Sequence, residues 1–121
     1  MVYPTRKTTG VDFNRTSMII AVLEKHIGYK LSSSDIYVNA AGGVRVTEPA
    51  MDLPIALAIA SSYKNLALDP AIAVMGEIGL AGEIRSISQL EQRIKEAKKL
   101  GFTKIISPQN IKTLKQALES L

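Results

Sequence analysis

The chain has 121 residues, a formal net charge of +4 and no cysteine. This length favours one domain with a core of its own, and the lack of cysteine excludes disulfide bonds, thiolate metal sites and a cysteine nucleophile. The N-terminus has no apolar signal segment and no apolar run approaches the about 20 residues of a membrane span, so we expect a cytoplasmic protein.

The first half of the chain predicts a lead-in, a helix, a hairpin and a second helix. Residues 1–10 are rich in Thr, Pro and basic side chains and are expected to be an extended basic lead-in. Apolar residues at helical spacing predict a helix over residues 14–27. Residues 35–38 predict a strand that returns over residues 44–46. Residues 53–64 are apolar on every side, which predicts a helix at the centre of the domain.

The second half predicts a strand pair followed by helix, strand and helix. Two strands are expected to join around residues 79–82, and an amphipathic helix follows over residues 88–101. Residues 102–107 predict a short buried strand, and residues 108–121 predict a final helix with Pro108 in its first turn. This alternation indicates an α/β (α+β) sandwich in which helices cover a mixed sheet.

Few side chains suggest metal, phosphate or histidine chemistry. His26 lies on the apolar side of the first helix with no acidic residue nearby in sequence, so we interpret it as a packed or half-exposed side chain. No His/Cys/Asp group has the spacing of metal ligands. The glycines of GEIGLAG join two strands and lack the Lys-Ser/Thr of a phosphate-binding loop. We therefore predict no metal site and no cofactor in these residues.

A serine nucleophile does not require a histidine, because a desolvated lysine can activate a serine. The serines that qualify by residue type are Ser17, Ser61, Ser62, Ser86 and Ser88. A nucleophile is best placed at the N-terminal end of the buried helix, where free N–H groups can stabilise an oxyanion. Asp52 occupies that place.

Two acidic residues have a structural interpretation as helix caps. Asp is a preferred N-cap residue and Pro54 suits a first turn, so Asp52 is predicted to cap the buried helix, which would contribute about 0.5–2 kcal/mol. Ser88 and Glu91 form an S-x-x-E capping box, and Glu91 is placed to pair with Lys95.

Five segments carry a family resemblance: TTGVDFNR, AVLEKHIGYKL, VNAAGGVRVTEPAMDLPIALAIASS, GEIGLAGEIRSI and EQRIKEAKKLGF. From Arg6 to about Leu121 the chain resembles the Lon-protease-like C-terminal domain of the RadA (Sms) family of bacterial DNA repair proteins. The resemblance implies a Lon proteolytic-domain fold of the ribosomal protein S5 domain 2 type. It also aligns the catalytic serine and lysine positions of Lon with Asp52 and Glu91. Neither acid can replace a serine–lysine dyad, so a pseudo-protease without catalytic residues is expected.

The same resemblance implies a setting for the chain. RadA-family proteins join a zinc finger and a RecA-like ATPase to this domain and act as ring-shaped, branch-migrating helicases. Residues 1–121 are therefore expected to be a single C-terminal domain of a longer protein, whose ATP, Mg and Zn sites lie in its other regions. The implied partners are further copies in a ring, which the resemblance implies is a hexamer, single-stranded or branched DNA, and a recombinase or replicative helicase, with no membrane.

Basic side chains supply candidates for DNA contact, because an extended basic arm can bind phosphates without reading sequence. The candidates are Arg6, Lys7, Arg15, Arg45, Lys98 and Lys99. The alternative is that these charges are solvated or make subunit contacts. Two other functions stay open: a protein-interaction module with an apolar groove, and a cryptic hydrolase that uses Ser61, Ser62 or Ser17 with a lysine.

Overall fold

A computed structural model describes residues 3–121, and within them the chain forms a mixed α/β fold of short sheets and four α-helices. The strands are β1 (Arg6–Thr9), β2 (Ile36–Asn39), β3 (Ile72–Val74), β4 (Glu77–Ile78), β5 (Ile84–Arg85) and β6 (Lys104–Ile106). The helices are α1 (Phe13–Val22), α2 (Asp52–Lys64), α3 (Leu90–Lys99) and α4 (Leu114–Glu119). No helix in this part of the chain is long and apolar enough to span a bilayer.

The strands form three two-stranded sheets instead of the one mixed sheet that we predicted. β1 and β2 are parallel and connected through α1, with Arg6 opposite Ile36 and Thr9 opposite Asn39. β3 and β6 are also parallel, whereas β4 and β5 form the predicted antiparallel hairpin. The predicted basic lead-in is extended where β1 forms, and its first two residues lie outside the described part of the chain.

The predicted return strand over residues 44–46 is wrong. This segment is not a strand; its Val46 N–H donates to the Gly10 carbonyl at 2.7 Å. Gly10 has φ +79°, and a Cβ there would lie 2.4 Å from the Val44 carbonyl oxygen. The loop therefore packs directly on the end of β1, and β1 takes the place beside β2 that we had assigned to the return strand.

Helix α2 lies in the main core, as its all-round apolar pattern predicts. Between Asp52 and Ala60 its one exposed residue is Ala58, while Leu53, Ala56 and Leu57 are fully buried. Helix α1 packs beside α2, continues as a π-helical turn over Leu23–Ile27 and ends at Gly28 with φ +85°. His26 of that turn is exposed and not packed against the apolar core, and its Nε2 lies 3.0 Å from the Leu80 carbonyl.

The capping box predicted for the third helix and the start predicted for the last helix are wrong. Helix α3 follows Gln89 at φ +56° with no side-chain cap, so Ser88 and Glu91 form no capping box. Helix α4 begins after Thr113, whose hydroxyl accepts from the Gln116 N–H at 3.1 Å. Pro108 lies in a preceding turn, which Asn110 holds by accepting from the Ser107 N–H at 3.0 Å. Local turns that satisfy backbone groups replace the predicted caps.

Candidate functional site

The Asp52 carboxylate is fully buried at the first turn of α2. Oδ1 accepts from Arg15 Nε at 2.7 Å, and Oδ2 accepts from a second Arg15 guanidinium nitrogen and from the Ile78 N–H at 3.0 Å. Its partners come from α1 and β4. Asp52 is thus a residue that ties three elements together.

The prediction that Asp52 caps α2 is wrong. A 3-10 turn over Pro49–Met51 leads directly into the helix, and the Asp52 side chain accepts no N–H of its own helix. The Leu53 N–H donates instead to the Gly76 carbonyl at 3.0 Å. The connection between β3 and β4 therefore satisfies the Leu53 N–H at the helix end, and the carboxylate is left for Arg15.

Arg15 is positioned by the start of α1. Asp12 is the N-cap of this helix and accepts from the Arg15 N–H at 2.8 Å. The guanidinium reaches Asp52 and also lies 3.3 Å from Glu77 Oε2. The hydrogen bond to Asp52 raises the pKa of Arg15 despite the opposing effect of burial, and the charges of Asp52, Glu77 and Asp12 add to the rise. We call Arg15, Asp52 and Glu77 the Asp52 cluster.

Sequence reasoning missed this cluster, because Arg15 and Asp52 are 37 positions apart and Glu77 is 62 positions from Arg15. One signal was available. A carboxylate at the mouth of an entirely apolar helix faces burial, and a buried carboxylate needs a cation or several donors.

The Asp52 cluster places an ion-paired carboxylate, and not a hydroxyl group, at the first turn of α2. Its carboxylate is an ion-paired acceptor, and both the Leu53 and Ile78 N–H groups near the helix mouth already have partners. An oxyanion hole needs donors that are aimed at the reacting centre and not already bonded. The geometry here supports a structural role.

A cleft of about 230 Å³ lies next to the cluster. Glu48, Glu77, Ser86, Ser88 and Arg93 contribute polar side chains to its wall, and Arg93 pairs with Glu48. Asp52 does not line this cleft.

Glu91 lies exposed on α3 and is likewise absent from the cleft wall. It makes no ion pair with Lys95 within residues 3–121, so the predicted helical pair is not formed. The structure therefore does not bring the two positions of the predicted degenerate dyad together around the cleft.

The candidate serines lack a lysine in the cavities that they line. Ser86 and Ser88 line the cleft and Ser62 lines a groove beside β2, and no lysine lines either cavity in the described part of the chain. Ser61 donates its hydroxyl to the Leu66 carbonyl, and Ser17 is exposed on α1.

Two of the predicted DNA-binding residues have intramolecular roles. Arg15 belongs to the Asp52 cluster, and the Arg6 guanidinium donates to the carbonyls of Leu31, at 2.8 Å, and Ser34. The other four candidates are exposed: Lys7, Arg45, Lys98 and Lys99. DNA contact by any of the six stays a prediction.

Comparison with known proteins gives the class of this domain. Residues 7–111 match the family model described as subunit ChlI of Mg-chelatase, and the chain belongs to that family. Among residues 3–121 no three His, Asp or Glu side chains cluster as a metal site.

The particular proteins that this chain resembles are DNA repair proteins named RadA, which confirms the predicted resemblance. It is 58% identical to RadA of Streptococcus pyogenes over 105 residues, which is 87% of this chain and 23% of the relative. RadA of Streptococcus pneumoniae is 57% identical and RadA of Synechocystis sp. 53%, over the same 87% of this chain and 25% and 21% of those relatives. The chain spans about a quarter of the length of these curated relatives.

Proposed function

We propose that this chain is a non-catalytic, Lon-like domain of a RadA-type DNA repair protein, and that it supports ring assembly and DNA binding. The observation that carries the non-catalytic role is the Asp52 cluster: a buried, ion-paired carboxylate occupies the place where a nucleophile would gain most from the helix N-terminus. The 53–58% identity to proteins named DNA repair protein RadA supports the repair role.

The full-length protein, in this proposal, is a cytoplasmic ATP-dependent DNA helicase that uses this domain to hold its subunits in a ring. Its ATP, Mg and Zn sites belong to regions outside these 121 residues. A recombinase or a replicative helicase is the proposed protein partner.

Exposed basic side chains support DNA binding. Lys7 and Arg45 lie at the β1–β2 side of the molecule, and Lys98 and Lys99 lie on α3. With a net charge of +4, the chain attracts phosphates, and each phosphate contact releases counterions. Binding should therefore weaken steeply with salt.

The experiment is fluorescence anisotropy of labelled single-stranded and duplex DNA, titrated with salt. The Lys7→Gln/Arg45→Gln and Lys98→Gln/Lys99→Gln variants each remove two charges, so each pair is the matched control for the other. We expect the contacting pair to lower the slope of log affinity against log salt by about 0.7 per lost phosphate contact on a single strand. Absence of binding by the folded chain at low salt would remove DNA binding from the proposal.

Two further measurements test the remaining parts. Light scattering gives the mass of this chain and of the full-length protein, and so the number of subunits in each assembly. A full-length protein that stays monomeric would contradict ring assembly. A serine-reactive fluorophosphonate should leave the chain unlabelled, and stoichiometric labelling of Ser17, Ser61 or Ser62 would contradict the non-catalytic role.

A further inference from the structure

One face of the β1–β2 sheet is exposed. Side chains alternate along both strands, so Lys7 and Thr9 of β1 and Tyr37 and Asn39 of β2 point outward. In the parallel register Lys7 lies opposite Tyr37, and Thr9 lies opposite Asn39. We call these four residues the open sheet face. Tyr37 is 66% exposed at its centre.

The outer edge of β2 is also open. β2 pairs only with β1 within residues 3–121, and the Ile36 and Ala40 N–H groups donate to the carbonyls of Thr5 and Thr9 at 2.9 Å. In a parallel ladder alternate residues bond to the same neighbour, so the backbone groups of Tyr37 and Asn39 point away from β1. They are donors and acceptors available to a ligand beside the strand.

A groove of about 520 Å³ runs between this edge and α2. Its wall includes Tyr37 of β2 and three exposed residues of α2, Ala58, Ser62 and Tyr63. No Lys or Arg lines it, and its one carboxylate, Asp35, accepts from the Thr5 N–H at 2.7 Å. The groove is thus neutral to acidic and partly aromatic. The cation Lys7 lies outside it, beside Tyr37 on the open sheet face.

We propose that the open sheet face, together with the open edge of β2, binds single-stranded nucleic acid, with a base stacked on Tyr37 and a phosphate held by Lys7. This inference rests on the proposed DNA binding and names its site and strand type. An exposed aromatic ring beside a cation is the arrangement that holds single strands without reading sequence. The open backbone groups of Tyr37 and Asn39 can meet the edge of the stacked base, and bases in a duplex do not expose a ring face for stacking. Lys7 favours a nucleic acid over a peptide strand at this edge, because it supplies the charge complementary to phosphate.

The test compares affinity for labelled oligothymidylate with affinity for a duplex. Tyr37→Thr removes the ring but keeps strand propensity, and Tyr37→Phe keeps the ring. We expect Tyr37→Thr to weaken single-strand binding by about 5- to 150-fold, the range for one stacked base, while Tyr37→Phe and duplex binding stay within about twofold. The chain has no tryptophan and only four tyrosines, so quenching of its tyrosine emission by oligothymidylate, lost in Tyr37→Thr, reports stacking directly.

Lys7→Gln should lower the single-strand salt slope by about 0.7, and Lys25→Gln, at an exposed lysine that is not a DNA-binding candidate, is the matched control. Unchanged single-strand affinity in Tyr37→Thr overturns this inference and leaves DNA binding in place. Failure of the parent chain to bind any DNA at low salt removes both. A Tyr37→Thr variant that changes the mass by light scattering, but not the DNA affinity, makes this surface a protein interface and also overturns the inference. Circular dichroism confirms folding, and should Tyr37→Thr unfold, Tyr37→Leu takes its place with the same expected outcomes.

Discussion

The Arg15–Asp52 pair makes a residue-scale prediction about stability. Asp52→Asn removes the charge and leaves a guanidinium whose side chain is 30% exposed without its buried partner. We expect a loss of about 2–4 kcal/mol in the free energy of unfolding, at the lower end of the range for buried pairs because solvent screens Arg15 in part. Urea unfolding followed by circular dichroism measures it.

Two comparisons test the cause of that loss. The double variant Arg15→Met/Asp52→Asn should recover part of the stability, since it leaves no unpaired guanidinium and the side-chain oxygen of the introduced asparagine can still accept from the Ile78 N–H. Glu77→Gln, at the partly exposed edge of the cluster, should cost only about 0–1 kcal/mol. Equal losses for Glu77→Gln and Asp52→Asn would contradict the buried pair as the cause.

Gly10 makes a second prediction at this scale. Gly10→Ala places a Cβ 2.4 Å from the Val44 carbonyl oxygen at a backbone φ of +79°. Gly42 has a similar φ of +84° with nothing within 4 Å of an added Cβ, so Gly42→Ala shows the conformational cost alone. We expect Gly42→Ala to lower the free energy of unfolding by about 1–2 kcal/mol, and Gly10→Ala to lower it clearly more. Equal melting temperatures for the two variants would show that the loop relaxes without cost.

At the scale of elements, the β4–β5 hairpin depends on pH through Glu83. Its carboxylate folds over the turn, where it accepts from the Ala81 N–H at 3.1 Å and pairs with Arg85 at 3.0 Å. Bonding to its own backbone N–H and then to Arg85 lowers the pKa of Glu83. The resulting stability is complete above the ordinary pKa of a glutamate in the unfolded chain and is lost as the pH falls through the lower folded-state pKa of Glu83.

Glu83→Gln should therefore weaken the fall in stability at low pH. Urea midpoints measured from pH 7 down to the onset of acid unfolding give this acid limb of the curve of stability against pH. Glu91→Gln is the control, because Glu91 is an exposed acid on α3 that enters no ion pair in the described residues. An identical acid limb for Glu83→Gln and the parent chain would contradict a role for this turn.

Elements with a strong local pattern were predictable from the sequence. The apolar run predicts α2, and the glycines predict the β4–β5 turn. In both cases the predicted bounds lie within a few residues of the observed ones. The β1–β2 pairing was not predictable, because it joins residues 30 positions apart through a helix and looks locally like half of a hairpin. The prediction that Asp52 caps α2 was wrong for the same reason. The capping preference of Asp is local, whereas the actual partner of Asp52 is Arg15 from another helix.

At the scale of the whole molecule, the core has two parts of unequal size. The main cluster joins α1, α2, α4 and the hairpin, whereas α3 covers a small separate cluster of Met75, Ile94 and Ala97. A smaller buried area holds α3 less firmly, so its backbone amides should exchange with solvent faster than those of α2.

Hydrogen exchange followed by mass spectrometry measures this difference. Ile94→Ala should speed exchange in α3 while α2 stays protected, because it removes contacts from the smaller cluster only. Leu57→Ala, in the main cluster, should cost about 2–5 kcal/mol and speed exchange throughout. Uniform acceleration by both variants would show one cooperative unit.

The bonding around Asp52 also constrains how this sequence can evolve. The substitution Asp52→Ser would leave the Arg15 guanidinium without its partner. The Leu53 N–H would still be bonded to the Gly76 carbonyl. Within residues 3–121, no lysine would line the adjacent cleft. Such a chain would lose stability before it gained any chemistry. Hydrolytic activity at this site would need several simultaneous substitutions. Selection would therefore remove each single step, and we expect serine at position 52 to be rare among functional descendants of this sequence.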